Sequence, residues 1–399
     1  MNGNCPPPGW ECDDGNAVPW DGCTEGKLSE VQANTVTEGF QVQPDVAAIG
    51  ANSFVVVWAG QNYDEDEYGV VARVYDDTGV PAGPEFLVGQ TEEGSQTIPR
   101  VSACGAGFAV TWTSFHQDED EPQVFFRIFA ASGEPTTDEI PVMSIADDWT
   151  WFSDISCFGD GSIVVAWTTN SKKPGRKVGY RFFSPVGQAL GEPSWEEQYS
   201  DAGNVNLAVC GNDSLMMLFR NNSPGQSLLA KRFYLDNSVD ETMELVGDDD
   251  LGEVTSLGHW CSIDCSCYAI YSDGGNTEYL RLTKYEPDIG EIWTVDVATV
   301  IDSIVVSAVG GFGDDGVIVT WSGNSPPDEH DIFASVYDFS GQVVAPLKNF
   351  PVFTANDQMN PSISAHPTSG AIVVWQSDEQ DGQDSGVYFR RLFDDLNLW

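Results

Sequence analysis

One short phrase recurs seven times along the 399 residues: FVVVW ending at Trp58, FAVTW at Trp112, IVVAW at Trp167, LMMLF at Phe219, CYAIY at Tyr271, VIVTW at Trp321 and IVVW at Trp375. The steps are 54, 55, 52, 52, 50 and 54 residues, so copies of one unit fill almost the whole chain. Each phrase is followed by a polar loop and a second apolar run, such as VVARVYD, VFFRIFA or VYFRRLF. Short runs rich in β-branched and aromatic residues between turn signals read as strands. A further short run precedes each phrase and another follows, giving four antiparallel strands per unit of about 50 residues, the grammar of a β-propeller blade. The expected fold is all-β, a seven-bladed propeller. A solenoid with several strands per coil is the main alternative, and it would need capping ends.

The chain instead closes on itself. The last unit lacks a fourth strand, whereas SEVQANTVTEGFQVQPDV (29–46) matches FLVGQTEEGSQTIPRV (86–101), which joins one blade to the next. The N-terminal piece is therefore expected to supply the outer strand of blade seven and then the inner strand of blade one, leaving no free sheet end. Gln-x-x-Pro recurs at Gln41–Pro44, Gln96–Pro99 and Gln358–Pro361 where blades join. Pro at a strand start forfeits no ladder bond, and Gln can bridge neighbouring backbones. One aromatic per blade at a fixed position packs neighbouring sheets face to face. Arg73, Arg127, Arg181, Arg281 and Arg390 recur on the third strand and read as structural, pairing with carboxylates or lying over rings.

Against 17 basic side chains stand 62 acidic ones, a formal charge of -45. Such a surface repels phosphate backbones and anionic headgroups, so nucleic acid and bare membrane are poor partners. Cations are good ones. In a propeller the loops between second and third strands emerge on one face with the inter-blade links. The candidate ligands there are Asp64 and Asp66 of blade one, Asp118 and Asp120 of blade two, and Asp378, Asp381 and Asp384 of blade seven. Crowded carboxylates repel unless a cation screens them. Calcium, with six to eight oxygen ligands in flexible geometry, is the cofactor expected. Solvated loop charge is the plainer reading of the same residues. Blade three breaks the pattern with TTNSKKPGRK, where Lys172, Lys173, Arg176 and Lys177 make a basic sector suited to an intramolecular counter-charge or a docking patch.

Nine cysteines, three of them in the first 23 residues, favour an oxidising compartment. The first residues show no basic segment followed by an apolar one, so either a leader has been removed or the protein is cytosolic, and the cysteines favour a removed leader. Cys104, Cys157, Cys210 and Cys261 fall one per blade near the end of the inner strand, either as small apolar residues or as disulfides between blades. Cys261, Cys265 and Cys267 crowd one hairpin, where a bond across it is an option. His259 beside them is weak evidence for zinc, because the spacing is not that of paired structural ligands.

The segment CPPPGWECDDGNAVPWDGCTEG resembles the myxobacterial cysteine-rich repeat, itself similar to Notch-type calcium modules, through Glu11 to Asn16 and Asp21 to Cys23. That resemblance implies a small secreted cap over residues 1–27, with Asp13, Asp14, Asn16 and Asp21 as calcium ligands, ahead of a propeller over 28–399. Three cysteines stand where that family usually has four. The blades resemble a family of bacterial secreted and surface proteins with the form VVWxSxxQDGDxxGVYxRxFDxxG, nearly met by VVWQSDEQDGQDSGVYFRRLFDD (373–395).

Four histidines share no motif, and the chain has no nucleophile elbow, phosphate-binding glycine loop or His-Glu-x-x-His. Carboxylate pairs are too abundant for any one to mark a glycosidase centre. The expectation is a secreted, calcium-stabilised, non-enzymatic binding or structural module at the cell surface, with a protein, a glycan or further copies of itself as partner. The alternative is a lectin or polysaccharide-active hydrolase using the loop face, with exposed aromatics such as Tyr63 and Tyr68, or the central channel.

Overall fold

The computed structural model describes residues 30–63, 67–115, 122–143, 150–169, 176–199, 202–221, 227–246, 257–273, 278–300, 307–313, 316–325, 329–351, 353–366 and 370–392. The proposed cap, residues 1–27, lies outside them. The short strand β1 (Val31–Gln32) comes first, and blade one follows as β2 (Gln41–Ala48), β3 (Ser53–Gly60), β4 (Gly69–Asp76) and β5 (Phe86–Leu87). Blade two is β6 (Gln96–Cys104), β7 (Gly107–Ser114), β8 (Gln123–Ala130) and β9 (Ile140–Pro141); blade three is β10 (Thr150–Cys157), β11 (Ile163–Thr169), β12 (Val178–Phe183) and β13 (Ser194–Trp195). Blade four is β14 (Ala202–Cys210), β15 (Ser214–Asn221), β16 (Ser227–Tyr234) and β17 (Met243–Val246); blade five is β18 (Leu257–Cys261), β19 (Cys267–Asp273), β20 (Glu278–Glu286) and β21 (Gly290–Val300). Blade six is β22 (Ser307–Phe312), β23 (Gly316–Ser325), β24 (Glu329–Tyr337) and β25 (Val343–Asn349); blade seven is β26 (Gln358–Ala365), β27 (Ala371–Asp378) and β28 (Ser385–Leu392).

Blade seven takes β1 as its fourth strand, with Val31 opposite Phe389. Inner strands touch in sequence from β2 to β26, and β26 returns to β2, so the sheets form a ring. The fold is a seven-bladed β-propeller closed by its N-terminal strand, as the repeats require.

The core lies between blades. Each of seven apolar clusters straddles one blade boundary, with Trp58 between blades seven and one, Trp112 between one and two, and Trp375 between six and seven. This explains why FVVVW does not alternate: Val55 and Val57 face one neighbour while Phe54, Val56 and Trp58 face the other. All five marker tryptophans are buried. Burying a side chain of this size contributes on the order of 3 kcal/mol.

Four of the five recurrent arginines clasp their own blade to the one before. Arg73 donates to the Ala33 carbonyl at 3.0 Å, Arg127 to Val88 at 2.9 Å, Arg181 to Val142 at 3.0 Å and Arg390 to Phe350 at 3.1 Å. Each lies over an aromatic ring, 5.2 to 5.7 Å from its centre. Arg281 differs from the sequence reading. It sits opposite Tyr271, two positions off the register of the others, and pairs with Asp296 of its own blade at 3.4 Å. The residue in register is Thr283, opposite Ala269.

Gln-x-x-Pro works as expected. Gln41, Gln96 and Gln358 are buried, and each side-chain amide donates to two carbonyls of the link that leads into its strand. Two residues after each, at Gln43, Ile98 and Asn360, φ is positive and the ladder slips by a bulge. Phe152 and Asn204 mark the same bulge in blades three and four. A β-branched residue such as Ile98 holds this conformation at roughly 1–3 kcal/mol, and its N–H is met by Gln43 Oε1 at 3.0 Å.

Candidate functional site

Inner strands line a central channel of about 500 Å³. Beyond the bulges, the residues that pair one position before each marker form a ring: Asp45, Arg100, Asp154, Asn206, Gly258, Ala308 and Ser362. Asp45 accepts the Val101 N–H of the next blade at 2.8 Å and the Ser362 hydroxyl of the previous one at 2.5 Å. Asp154 accepts the Leu207 N–H of blade four at 2.6 Å and its own neighbour Ile155 N–H at 2.9 Å. Loss of solvation pushes the Asp45 carboxyl up, opposed by Arg100. The same loss, against the Leu207 bond and Arg100, pushes Asp154 up to about 7. These two carboxyls were not singled out from sequence. Aligning the inner strands in register marks them, because an ionisable side chain is out of place in a run that otherwise lines a crowded centre.

Phe152, held at φ 44° and 47% exposed, presents its ring to the channel beside Trp151. His259 also lines the channel; burial drives its imidazole down to about 3, so it is neutral at physiological pH. Its Nε2 meets Tyr285 Oη at 2.6 Å and lies 3.5 Å from Cys261 Sγ.

Of the candidate calcium ligands, Asp13, Asp14, Asn16, Asp21, Asp64, Asp66, Asp118 and Asp120 lie outside the described residues. Asp378, Asp381 and Asp384 lie at the loop between β27 and β28. Asp381 accepts from Gln32 Nε2 at 2.6 Å and Asp384 from the Gly39 N–H at 3.2 Å, so both face the closing segment. Asp378 is half-buried, and desolvation with Asp357 and Glu379 nearby raises its carboxyl. Among the described residues, the triads of ligand-type side chains with donor atoms within 4.8 Å of one another both contain cysteine.

In the basic sector Lys177 pairs with Glu197 at 2.9 Å, an intramolecular counter-charge, and Lys172 and Lys173 lie outside the described residues. Tyr63 is not an exposed platform: it packs edge-on against Trp58, 6.2 Å between centres, in the cluster between blades seven and one. Of the two readings of the inner-strand cysteines the disulfide between blades holds, with Cys210 taking hairpin Cys265 rather than inner-strand Cys261 as its partner, and the bond across the hairpin forms as well. Cys104–Cys157 links blades two and three, Cys210–Cys265 links four and five, and Cys261–Cys267 crosses the blade-five hairpin.

No protein-family model matches the chain, and no curated protein sequence matches it. Solved structures do match in fold. An ulvan lyase of polysaccharide lyase family 25, bound to -[GlcA(1-4)Rha3S]-, is 11% identical over 91% of this chain and 96% of its own, with a TM-score of 0.57. A protein of unknown function from Dyadobacter fermentans is 9% identical over 92% and 98%, with a TM-score of 0.54. The propeller domain of the Trilobed protease from Pyrococcus furiosus, described as having open velcro topology, is 8% identical over 89% and 94%, with a TM-score of 0.52. At these identities the likeness defines a propeller scaffold and no chemistry. Among the described residues no helix is long and apolar enough to cross a membrane.

Proposed function

We propose that this is a secreted, non-enzymatic propeller that serves as an extracellular or cell-surface binding module, with calcium on its acidic loop face. The observation that carries the reading is the pair of disulfides across blade boundaries, Cys104–Cys157 and Cys210–Cys265. Such bonds persist in oxidising compartments, and they rigidify the ring that presents the loops. Resemblance of the first residues to a secreted cysteine-rich repeat supports the same place. Calcium is supported by the charge of the loops and by Asp378, whose negative neighbours a divalent cation would offset. The partner is a surface protein, a glycan or a second copy.

The test is thermal unfolding with and without calcium, with metal analysis of the purified protein. A calcium-dependent rise in Tm with bound ions, diminished in Asp378→Asn, is expected. No rise and no bound metal would overturn the calcium reading.

A second reading, a carbohydrate-active propeller, is favoured by Phe152 and the raised carboxyls of Asp45 and Asp154 in one channel. The folds of a polysaccharide lyase and this chain are alike. Polysaccharide binding lost in Phe152→Ala would support a lectin, and release of product lost in Asp154→Ala would replace the non-enzymatic reading.

A further inference from the structure

Four cysteines and a histidine meet at the boundary of blades four and five. Cys210 ends β14, while Cys261, Cys265 and Cys267 lie within the seven-residue stretch CSIDCSC that turns from β18 into β19. Their donor atoms form two overlapping triads, Cys210 with Cys265 and Cys267, and His259 with Cys261 and Cys267, each within 4.8 Å throughout. Cys267 belongs to both. A hairpin needs one disulfide to be stapled, and a blade boundary needs one; neither need explains why the two pairs share a single pocket.

We propose that in the reduced protein Cys210, Cys261, Cys265 and Cys267 bind one zinc ion, a structural site that holds blade four to blade five in place of the two disulfides. Thiolates about 2.3 Å from a tetrahedral zinc stand about 3.8 Å from one another; Cys210, Cys265 and Cys267 lie within 4.8 Å of one another and Cys261 within 4.8 Å of Cys267, so Cys261 has to draw in toward the other two as the disulfides open. Cys210 and Cys267 are fully buried, Cys261 nearly so and Cys265 partly, and four sulfur ligands leave no open position, which suits a structural site rather than a catalytic one. His259 Nε2 is engaged by Tyr285, so the fourth ligand is Cys261, with the imidazole beside its sulfur in the outer shell. The location gives the site a purpose. Blades three and four are joined at the channel by the Asp154 carboxylate, whereas the residue in the same register of blade four, on the side of blade five, is Asn206, so no carboxylate ties that boundary there.

The chemistry balances with a dithiol reductant. Two dithiols each give two electrons and two protons to one protein disulfide and become disulfides themselves, leaving four cysteine thiols. Zinc then displaces the four thiol protons to solvent and takes up four sulfur ligands. Oxidation reverses the sequence and expels the metal.

The experiment uses the full chain with Cys5, Cys12, Cys23, Cys104 and Cys157 changed to Ser, so that only the four proposed ligands remain. The protein is reduced with a phosphine, desalted without oxygen and titrated with cobalt, whose tetrahedral thiolate complex has intense visible bands and a sulfur-to-metal charge-transfer band that scales with thiolate number. One cobalt with a four-thiolate spectrum, displaced by one zinc and absent before reduction, is expected. Should that variant not fold, the variant with only Cys5, Cys12 and Cys23 replaced gives the same spectrum, and adding Cys267→Ser lowers cobalt affinity by at least the roughly 100-fold that loss of an outer-shell partner can produce. Absence of the spectrum in the reduced protein, or its survival in Cys267→Ser, overturns the proposal. Cobalt uptake by these sulfurs is read independently of calcium uptake by the loops, so either reading can fail without the other.

Discussion

In blades one to three the outer strand is two residues long, whereas in blades five and six it runs to 11 and seven. The short-edged blades are held by their neighbours. Arg73, Arg127 and Arg181 reach back to the carbonyl that follows the preceding outer strand. At the same register in blades five and six, Thr283 bonds Thr294 at 2.6 Å and Ser335 bonds the Ala345 carbonyl at 2.9 Å, both within their own sheet. The channel side repeats the contrast: Asp45 and Asp154 reach into the next blade, while Gly258 brings backbone against backbone. A blade edge can thus be secured by a side chain crossing the boundary, by longer pairing at home or, in blade six, where Arg390 also reaches the Phe350 carbonyl, by both, and the repeat keeps its outline throughout.

The largest effect expected from breaking this contrast is at the disulfides. In the chain-entropy account, removing Cys104–Cys157, 53 residues apart, with two serines lowers unfolding free energy by about 4 kcal/mol, against about 2 kcal/mol for Cys261–Cys267, six apart. Equal losses in denaturant titration would mean that boundary and hairpin staples do not differ.

Next comes Gly258→Val. A Cβ there would stand 2.9 Å from the Ser307 carbonyl and 3.0 Å from Ala308 Cα, backbone that has little room to yield. A loss of about 3 kcal/mol is expected, whereas Asn206→Val in the same register of blade four should stay within about 1 kcal/mol. A tolerant Gly258 would remove the close approach as the joint between blades five and six.

Arg127→Met sharpens the comparison further. It deletes bonds to the Val88 and Thr137 carbonyls and the cation over Phe129, for about 2 kcal/mol. Ser335→Ala, in register but bonded at home, should show about 1 kcal/mol.

The smallest effect is in pH. Folding raises the Asp154 carboxyl from 3.8 to about 7, so between those values the folded chain holds the extra proton and stability falls as pH rises. Going from pH 8 to pH 5 should therefore favour the wild type over Asp154→Asn by on the order of 1 kcal/mol after screening by channel solvent. Parallel stability profiles for the two proteins would show that the boundary carboxyl does not titrate there.

The ring, its blade count and its closing strand were legible because they rest on a repeated apolar phrase, and both faces of each strand must be covered. Gln41, Gln96 and Gln358 were legible for a similar reason, as a polar residue recurring at a buried joint. Asp45 and Asp154 were not, because the bulge after Gln43 and Phe152 breaks the two-residue alternation that would have placed them on the channel. Arg281 misled because spacing from a marker does not reveal a two-residue slip in pairing. Tyr63 sits beside a run of charge in sequence yet turns inward to Trp58 of its own blade, in the cluster shared with blade seven. The loop aspartates resisted for the opposite reason: short-range sequence shows the charge but not where each oxygen points, and Asp381 and Asp384 point to the closing segment.

The pairing of β1 with β28 also sets an order of events. Asn34 Oδ1 accepts from the Val387 N–H across 353 positions of chain, so the seam can form only when nearly everything else has been made. Until then the growing chain is an arc with two raw ends. Each boundary disulfide, by contrast, needs only the next blade, so oxidation can lock neighbours together while the arc is still open. Such an arc, stiffened pair by pair, has fewer ways to miss its own beginning.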